Sequence, residues 1–194
     1  MDIWKPRLSV CIISESRTVY NDVSQKNRFA ILRSENLYDW EKTQELDLVP
    51  MWECPDLVEI SDLSGNRRWA LISADGFYYM GKFDGFRFSF EGVMRGLYDN
   101  KIPYAGQTFS NVKGRTIAIS WLRVPNSGES YTGYLSVPRE FSLDKDEYGY
   151  FIRQSFAGEV DNFVEDEDGW QVIHDINITE RIDPSGKRLS IETK

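Results

Sequence analysis

Phe83-Asp84-Gly85-Phe86-Arg87-Phe88-Ser89-Phe90-Glu91 is a strand end, a short acidic turn, and then an aromatic leading into a Glu-containing edge. The same arrangement occurs earlier, in Ser34-Glu35-Asn36-Leu37-Tyr38-Asp39-Trp40-Glu41. Aligning Leu37 with Gly85 and Trp40 with Phe88 separates the copies by 48 residues. That is close to the roughly 40 to 50 residues of a four-stranded propeller blade.

The surrounding sequence supports short strands throughout. Residues 9–14 and 28–33 are apolar, β-branched runs that predict paired strands, and Ser34 is placed to cap a single helical turn before Trp40 opens an outer strand. Residues 57–60 alternate, and residues 68–73 and 77–83 follow as strands, with a turn at Gly65-Asn66 and a hairpin signal at Asp75-Gly76. Residues 104–109, 116–121 and 131–135 continue the pattern. No long helical periodicity interrupts it. The reading is all-β: a partial β-propeller of about three blades over residues 1–141, at roughly 45 residues each. From residue 142 the texture changes to acidic turns between shorter strands, at Asp144 to Glu147, Glu165 to Asp168 and Asp183 to Gly186. Residues 142–194 are expected to form hairpins of a second β element.

The 194 residues carry a formal net charge of -8, which argues against nucleic acid or an anionic membrane as partner, since both call for basic patches. Aromatic residues make up 14% of the chain and are spread along it, which suits stacked sheets and also sugar-binding surfaces. No apolar run reaches the roughly 18 to 20 residues of a membrane span, and Met1 to Pro6 lacks the regions of a signal peptide. A cytoplasmic protein is expected, with Cys11 and Cys54 as free thiols. A single histidine, His174, leaves no Cys/His set for a structural zinc site and little support for a nucleophilic triad. The acidic run at Glu165 to Asp168 reads as a solvated turn. No glycine-rich phosphate loop is present, and no cofactor or metal is implied.

One stretch carries chemistry. In Met51-Trp52-Glu53-Cys54-Pro55-Asp56 a carboxylate stands between a large aromatic and a proline-locked turn. Between Trp52 and Cys54 it is expected to be partly desolvated, which favours the neutral acid and suits a general acid near neutral pH.

Taken in order, Met51 to Leu57, Phe83-Asp84-Gly85, Tyr104-Ala105-Gly106-Gln107-Thr108-Phe109 with Gly114-Arg115 and Trp121, and Leu135 to Phe141 resemble glycoside hydrolase family 32, the β-fructofuranosidases. The resemblance covers roughly residues 28–156. It implies a five-bladed propeller followed by a β-sandwich, an active site in a funnel on the propeller axis, and a fructose-containing saccharide as substrate. It also implies a retaining mechanism with two carboxyl groups about 5 to 5.5 Å apart. Carried over by motif, Glu53 is the acid/base, Trp52 and Cys54 its immediate supports, and Tyr104 and Gln107 funnel-side residues.

The departures are as informative. Nothing before Met51 resembles the family's nucleophile motif, and the Asp that stabilises the transition state in relatives has no counterpart. If Trp4-Lys5-Pro6 stands for that motif, Lys5 reverses the charge. Before Tyr104, where relatives carry an acidic residue, this chain has Ile102-Pro103. Two expectations result. One is a truncated fructosyl hydrolase, nearly inactive alone and complemented by an upstream polypeptide. The other is a non-catalytic β module that binds fructosides or assembles as a homo-oligomer.

Overall fold

A computed structural model describes residues 9–15, 28–48, 50, 51, 53–126, 128 and 130–163 of the chain. Trp52, Lys5, His174, the acidic run at 165–168 and the rest of residues 164–194 of the expected second β element lie outside the described residues. Residues 1–157 and 158–194 are separate compact units, and a 3-10 turn, Gly158–Phe163, is the described part of the second.

The first unit is built from three antiparallel sheets that follow one another along the chain. Sheet 1 has the order β1 (Ser9–Glu15), β2 (Arg28–Ser34), β3 (Glu41–Asp47). Sheet 2 is a four-stranded meander of β4 (Asp56–Ser61), β5 (Arg67–Ile72), β6 (Phe77–Phe83) and β7 (Phe88–Gly96). In sheet 3, β9 (Thr116–Leu122) pairs β8 (Pro103–Thr108) on one side and both β10 (Tyr134–Leu135) and β11 (Arg139–Asp146) on the other. β11 then pairs β12 (Gly149–Phe156).

Alternation along sheet 2 explains why the sheets stack. Trp69 and Leu71 of β5 join Phe29, Ile31, Leu46 and Phe88 in one core cluster, while their neighbours Ala70 and Ile72 join Phe141, Leu143 and Ile152 in the other. β6 divides in the same way, with Phe77 and Tyr79 toward sheet 1 and Tyr78 and Met80 toward sheet 3. A period of two thus buries both faces of one sheet between its neighbours. Polar contacts set the spacing. Gln44 of β3 accepts from the Phe88 amide at 2.6 Å and donates to its carbonyl at 3.0 Å, and the Tyr78 hydroxyl accepts from the buried Ile152 amide at 3.0 Å.

The 48-residue repeat has a local cause. Asn36 Oδ1 accepts from the amides of Tyr38 and Asp39 at 2.9 and 2.8 Å, and Asp84 Oδ1 accepts from those of Phe86 and Arg87, both at 2.8 Å. These are matching Asx turns. Between the anchor and those amides, Leu37 and Gly85 both take positive φ, 68° and 94°. The left-handed residue and the side-chain acceptor stop helix growth, so the expected helical turn after Ser34 is absent. Ser34 Oγ still accepts from the Leu37 amide at 2.8 Å. A shorter version recurs between β11 and β12, where Asp146 Oδ1 accepts from the Tyr148 amide at 2.8 Å.

The equivalence makes β1, β2 and β3 counterparts of β5, β6 and β7. The expected turn at Asp144 to Glu147 begins later than its charges suggest. Asp144 and Lys145 lie within β11, because Phe141 and Leu143 keep their alternation against Ile152, and Asp144 pairs with Arg153 across the hairpin. The division expected between residues 141 and 142 therefore falls inside a strand.

Candidate active site

Met51 is fully buried among the residues that join sheets 1 and 2, and its amide donates to the Leu48 carbonyl at 2.6 Å. Two residues later Glu53 is exposed. Its carbonyl accepts from the Ala74 amide at 2.8 Å, and the Ala74 carbonyl accepts from the Ala105 amide at 2.7 Å. The β5–β6 turn thus ties the Glu53 segment to the start of β8. Tyr104, 51 residues from Glu53 in sequence, donates its hydroxyl to Glu53 Oε1. Gln107 Nε2 donates to the Cys54 carbonyl at 3.2 Å and to the Gly106 carbonyl at 3.0 Å.

Four of the five residues singled out from sequence, Glu53, Cys54, Tyr104 and Gln107, thus meet in one place. The fifth, Trp52, lies outside the described residues. Cys54 contributes through its backbone carbonyl, and its side chain is an exposed free thiol. The expected desolvation of Glu53 is not realised, since both it and Cys54 are exposed. Partial desolvation by its neighbours, reinforced by the Glu53 charge, raises the Cys54 pKa, so the thiol stays protonated and weakly nucleophilic.

The backbone here is unusual. Cys54 has φ 48° and Ala105 has φ 47°, so each residue following a partner of the Tyr104–Glu53 hydrogen bond is left-handed. Such conformations in residues other than glycine cost of order 1 to 3 kcal/mol and collect at functional sites. β8 bulges between Tyr104 and Gln107, which re-aims the tyrosine. Gly106 lies in the bulge, where a Cβ would come within 2.5 Å of the Tyr98 hydroxyl and 2.8 Å of Ser120 Oγ. The absent side chain makes room for the 2.7 Å hydrogen bond between those hydroxyls.

Tyr104 is enclosed by aromatic and cationic neighbours. The Arg123 guanidinium lies 4.1 Å from its ring centroid, and Trp121 meets it edge-on at 6.3 Å. Burial, the hydrogen bond to Glu53 and the Glu53 charge push its pKa up to about 12. The phenol is therefore a fixed donor at neutral pH. The sequence reading passed over Arg123, which lies one residue past the end of β9 and two residues beyond Trp121.

It also gave no role to Asp56, which is half-buried and accepts from the Thr108 amide at 2.7 Å. Burial pushes the Asp56 pKa up, against the opposing effect of its hydrogen bonds from Thr108 and Leu57. Both Asp56 and Thr108 lie within the motifs that carry Glu53 and Tyr104, and only the three-dimensional pairing distinguishes them. Among the described residues no group of three acidic, cysteine or histidine side chains could hold a metal ion, and no helix is long and apolar enough to cross a membrane.

A family model described as the glycosyl hydrolases family 32 N-terminal domain matches residues 14–154. The chain belongs to glycosyl hydrolase family 32. Among curated relatives, a sucrose-6-phosphate hydrolase of Zymomonas mobilis is 26% identical over 170 residues, covering 73% of this chain and 32% of the relative. A levanase of Bacillus sp. strain L7 is 27% identical over 170 residues, covering 69% and 17%. This family-32 chain thus spans about a third or less of the length of those relatives. Among solved structures, the Bombyx mori β-fructofuranosidase aligns with TM-score 0.60 at 24% identity, covering 84% of this chain and 38% of that one. A β-fructofuranosidase of Schwanniomyces occidentalis complexed with fructosyl-erythritol aligns with TM-score 0.59 at 21% identity, covering 79% and 32%. These structures share the fold, so the three sheets are consecutive blades of a family-32 β-propeller.

Proposed function

We propose that this chain supplies the acid/base side of a β-fructofuranosidase site, with Glu53 as the acid/base, and that the nucleophilic carboxylate comes from outside residues 1–194. The observation that carries the reading is the Tyr104 hydroxyl donating to Glu53 Oε1 across two blades. A tyrosine whose pKa stands at about 12 remains a donor whether Glu53 is acid or carboxylate, and it orients the group throughout.

In this reading that carboxylate attacks the anomeric carbon of a terminal fructosyl unit. Glu53 gives its proton to the departing glycosidic oxygen, and the C–O bond breaks as the fructosyl ester forms. Water then attacks the anomeric carbon and yields its proton to Glu53, and the enzyme carboxylate leaves, releasing fructose and regenerating both carboxyl groups. Tyr104 stabilises the carboxylate form of Glu53 between the two steps. Gln107 holds the Cys54 carbonyl, and Trp121 lines the approach of the saccharide.

Without the nucleophile a lone general acid contributes only about 10²- to 10⁴-fold, so the chain alone is nearly inactive on sucrose and fructans. The place for a partner is next to the site. Tyr104, Trp121 and Leu135 are register partners across three adjacent strands, and Trp121 and Leu135 are 45% and 68% exposed. This row begins at the residue that touches Glu53, and the matched region is 32% of the Zymomonas relative and 17% of the levanase.

The test is to mix the chain with the product of the reading frame immediately upstream and follow fructose release from sucrose and inulin. Release that depends on both polypeptides is expected. A properly folded complex that releases none overturns the proposal.

A further inference from the structure

Glu53 and Tyr104 stand at the heads of inner strands that belong to different sheets. Among the described residues β4 has a ladder partner only in β5, and β8 only in β9, so no ladder joins the two strands that must hold the pair together. An edge strand leaves alternate N–H groups without a ladder partner, and those are available to tie neighbouring blades. The Phe109 amide turns toward β9 and donates to the Ile117 carbonyl at 2.8 Å. The preceding amide, Thr108 N, points the other way, and Asp56 Oδ2 accepts it at 2.7 Å.

β8 needs this hold because its ladder is interrupted at the bulge between Tyr104 and Gln107, where Ala105 is left-handed. An irregular segment keeps its tyrosine in place only when anchored on both sides. The Ala105 amide on the Ala74 carbonyl anchors one side, and Asp56 on Thr108 anchors the other. Gln107 adds a contact to the Cys54 carbonyl between them. Asp56 is also a group the fold keeps at a cost, since burial works against its carboxylate. Its hydrogen-bond partners are Thr108, in the strand that carries Tyr104, and the adjacent Leu57 amide.

Resting on the reading of Glu53 as acid/base, we infer that Asp56 is a positioning residue: by gripping the Thr108 amide it fixes β8 against β4 and holds the Tyr104 hydroxyl on Glu53. Asp56 does not reach the substrate in this role. It acts through Thr108 and Tyr104 on the orientation of the acid.

The test is independent of turnover. The full chain is labelled with ¹³C at the tyrosine Cζ position, and the Tyr104 resonance is identified by its loss in Tyr104→Phe. The step that this resonance shows when Glu53 is titrated is identified by its loss in Glu53→Gln. Asp56→Ala is expected to shrink the step by about half or more, because an unheld donor no longer keeps its acceptor. Asp56→Asn, whose amide oxygen still accepts from Thr108, keeps the step. A full-size step in Asp56→Ala overturns the inference, as does equal loss in the Asn and Ala variants. Should Asp56→Ala fail to fold, Asp56→Glu moves the acceptor by one methylene and must shrink the step, and a full step there overturns it equally. If the assembled protein releases no fructose, the hydrolase reading falls while the Tyr104 step still decides the role of Asp56.

Discussion

Met51→Ala probes how the acid/base segment is fastened to the blades. Met51 is fully buried, in the cluster that joins sheets 1 and 2 through Phe29, Ile31, Leu71 and Phe88. The substitution removes three side-chain heavy atoms, which at about 0.8 kcal/mol each gives roughly 2.4 kcal/mol of lost transfer energy. The cavity left behind adds to this, and with partial collapse the expected loss is about 3 kcal/mol, within the range of buried Met→Ala changes. With a urea dependence of about 1 to 3 kcal/mol/M, the unfolding midpoint falls by roughly 1 to 3 M with an unchanged slope. The control is Leu63→Ala, an apolar truncation at a fully exposed position, which moves stability by no more than about 0.5 kcal/mol. A Met51→Ala loss below about 1 kcal/mol refutes the placement of Met51 between the sheets, because a buried side chain of that size cannot be removed so cheaply.

Other positions give sharp expectations. Gly106→Ala drives a Cβ to within 2.5 Å of the Tyr98 hydroxyl, so thermal unfolding should show a loss of about 1 to 3 kcal/mol. Tyr78→Phe leaves the buried Ile152 amide without its acceptor, costing about 1 to 3 kcal/mol and speeding hydrogen exchange at that amide. The Asp56 pKa is raised in the folded state, so the native protein binds the proton more tightly than the unfolded chain. Its contribution to stability is then greatest below the ordinary value of 3.8 and declines as pH rises to the folded value. Asp56→Asn, which keeps the acceptor without the charge, should gain on the wild type across that window in urea titrations at successive pH values. In a Cys11→Ser background, iodoacetamide should modify Cys54 more slowly than an unstructured cysteine at neutral pH, since burial and Glu53 disfavour its thiolate, and Glu53→Gln should speed the reaction.

The strands were legible because their signals are local. The alternation of Trp69 to Ile72 and the Asp-Gly pair at the β5–β6 turn each fix a strand or hairpin within a few residues. The repeat of Ser34 to Glu41 in Phe83 to Glu91 was visible through Leu37 and Gly85, and the structure adds the reason, a side-chain acceptor at Asn36 and Asp84. The continuation of β11 through Asp144 and Lys145 was less legible. Charges at a strand end look like a turn until Arg153 is known to pair with Asp144 diagonally across the hairpin. At the site, motif resemblance picked out residues but not their pairing. Tyr104 on Glu53, Asp56 on Thr108 and Gln107 on Cys54 each join positions more than fifty residues apart, and no local pattern encodes which edge amide faces which carboxylate. The exposure of Glu53 was likewise invisible from Trp52 and Cys54 as sequence neighbours, because burial depends on what the other blades bring near it.

The central claim is that Glu53 donates the proton to the leaving group, and leaving-group dependence tests it. In the assembled protein, Glu53→Gln should slow fructose release from sucrose by about 10²- to 10⁴-fold. In the first turnover on an aryl β-fructofuranoside, whose leaving group departs without protonation, the burst of aryl alcohol should be little changed, since only the later hydrolysis of the ester needs Glu53 as base. Equal losses on both substrates, or an undiminished rate on sucrose, would contradict the assignment and remove Glu53 from the mechanism.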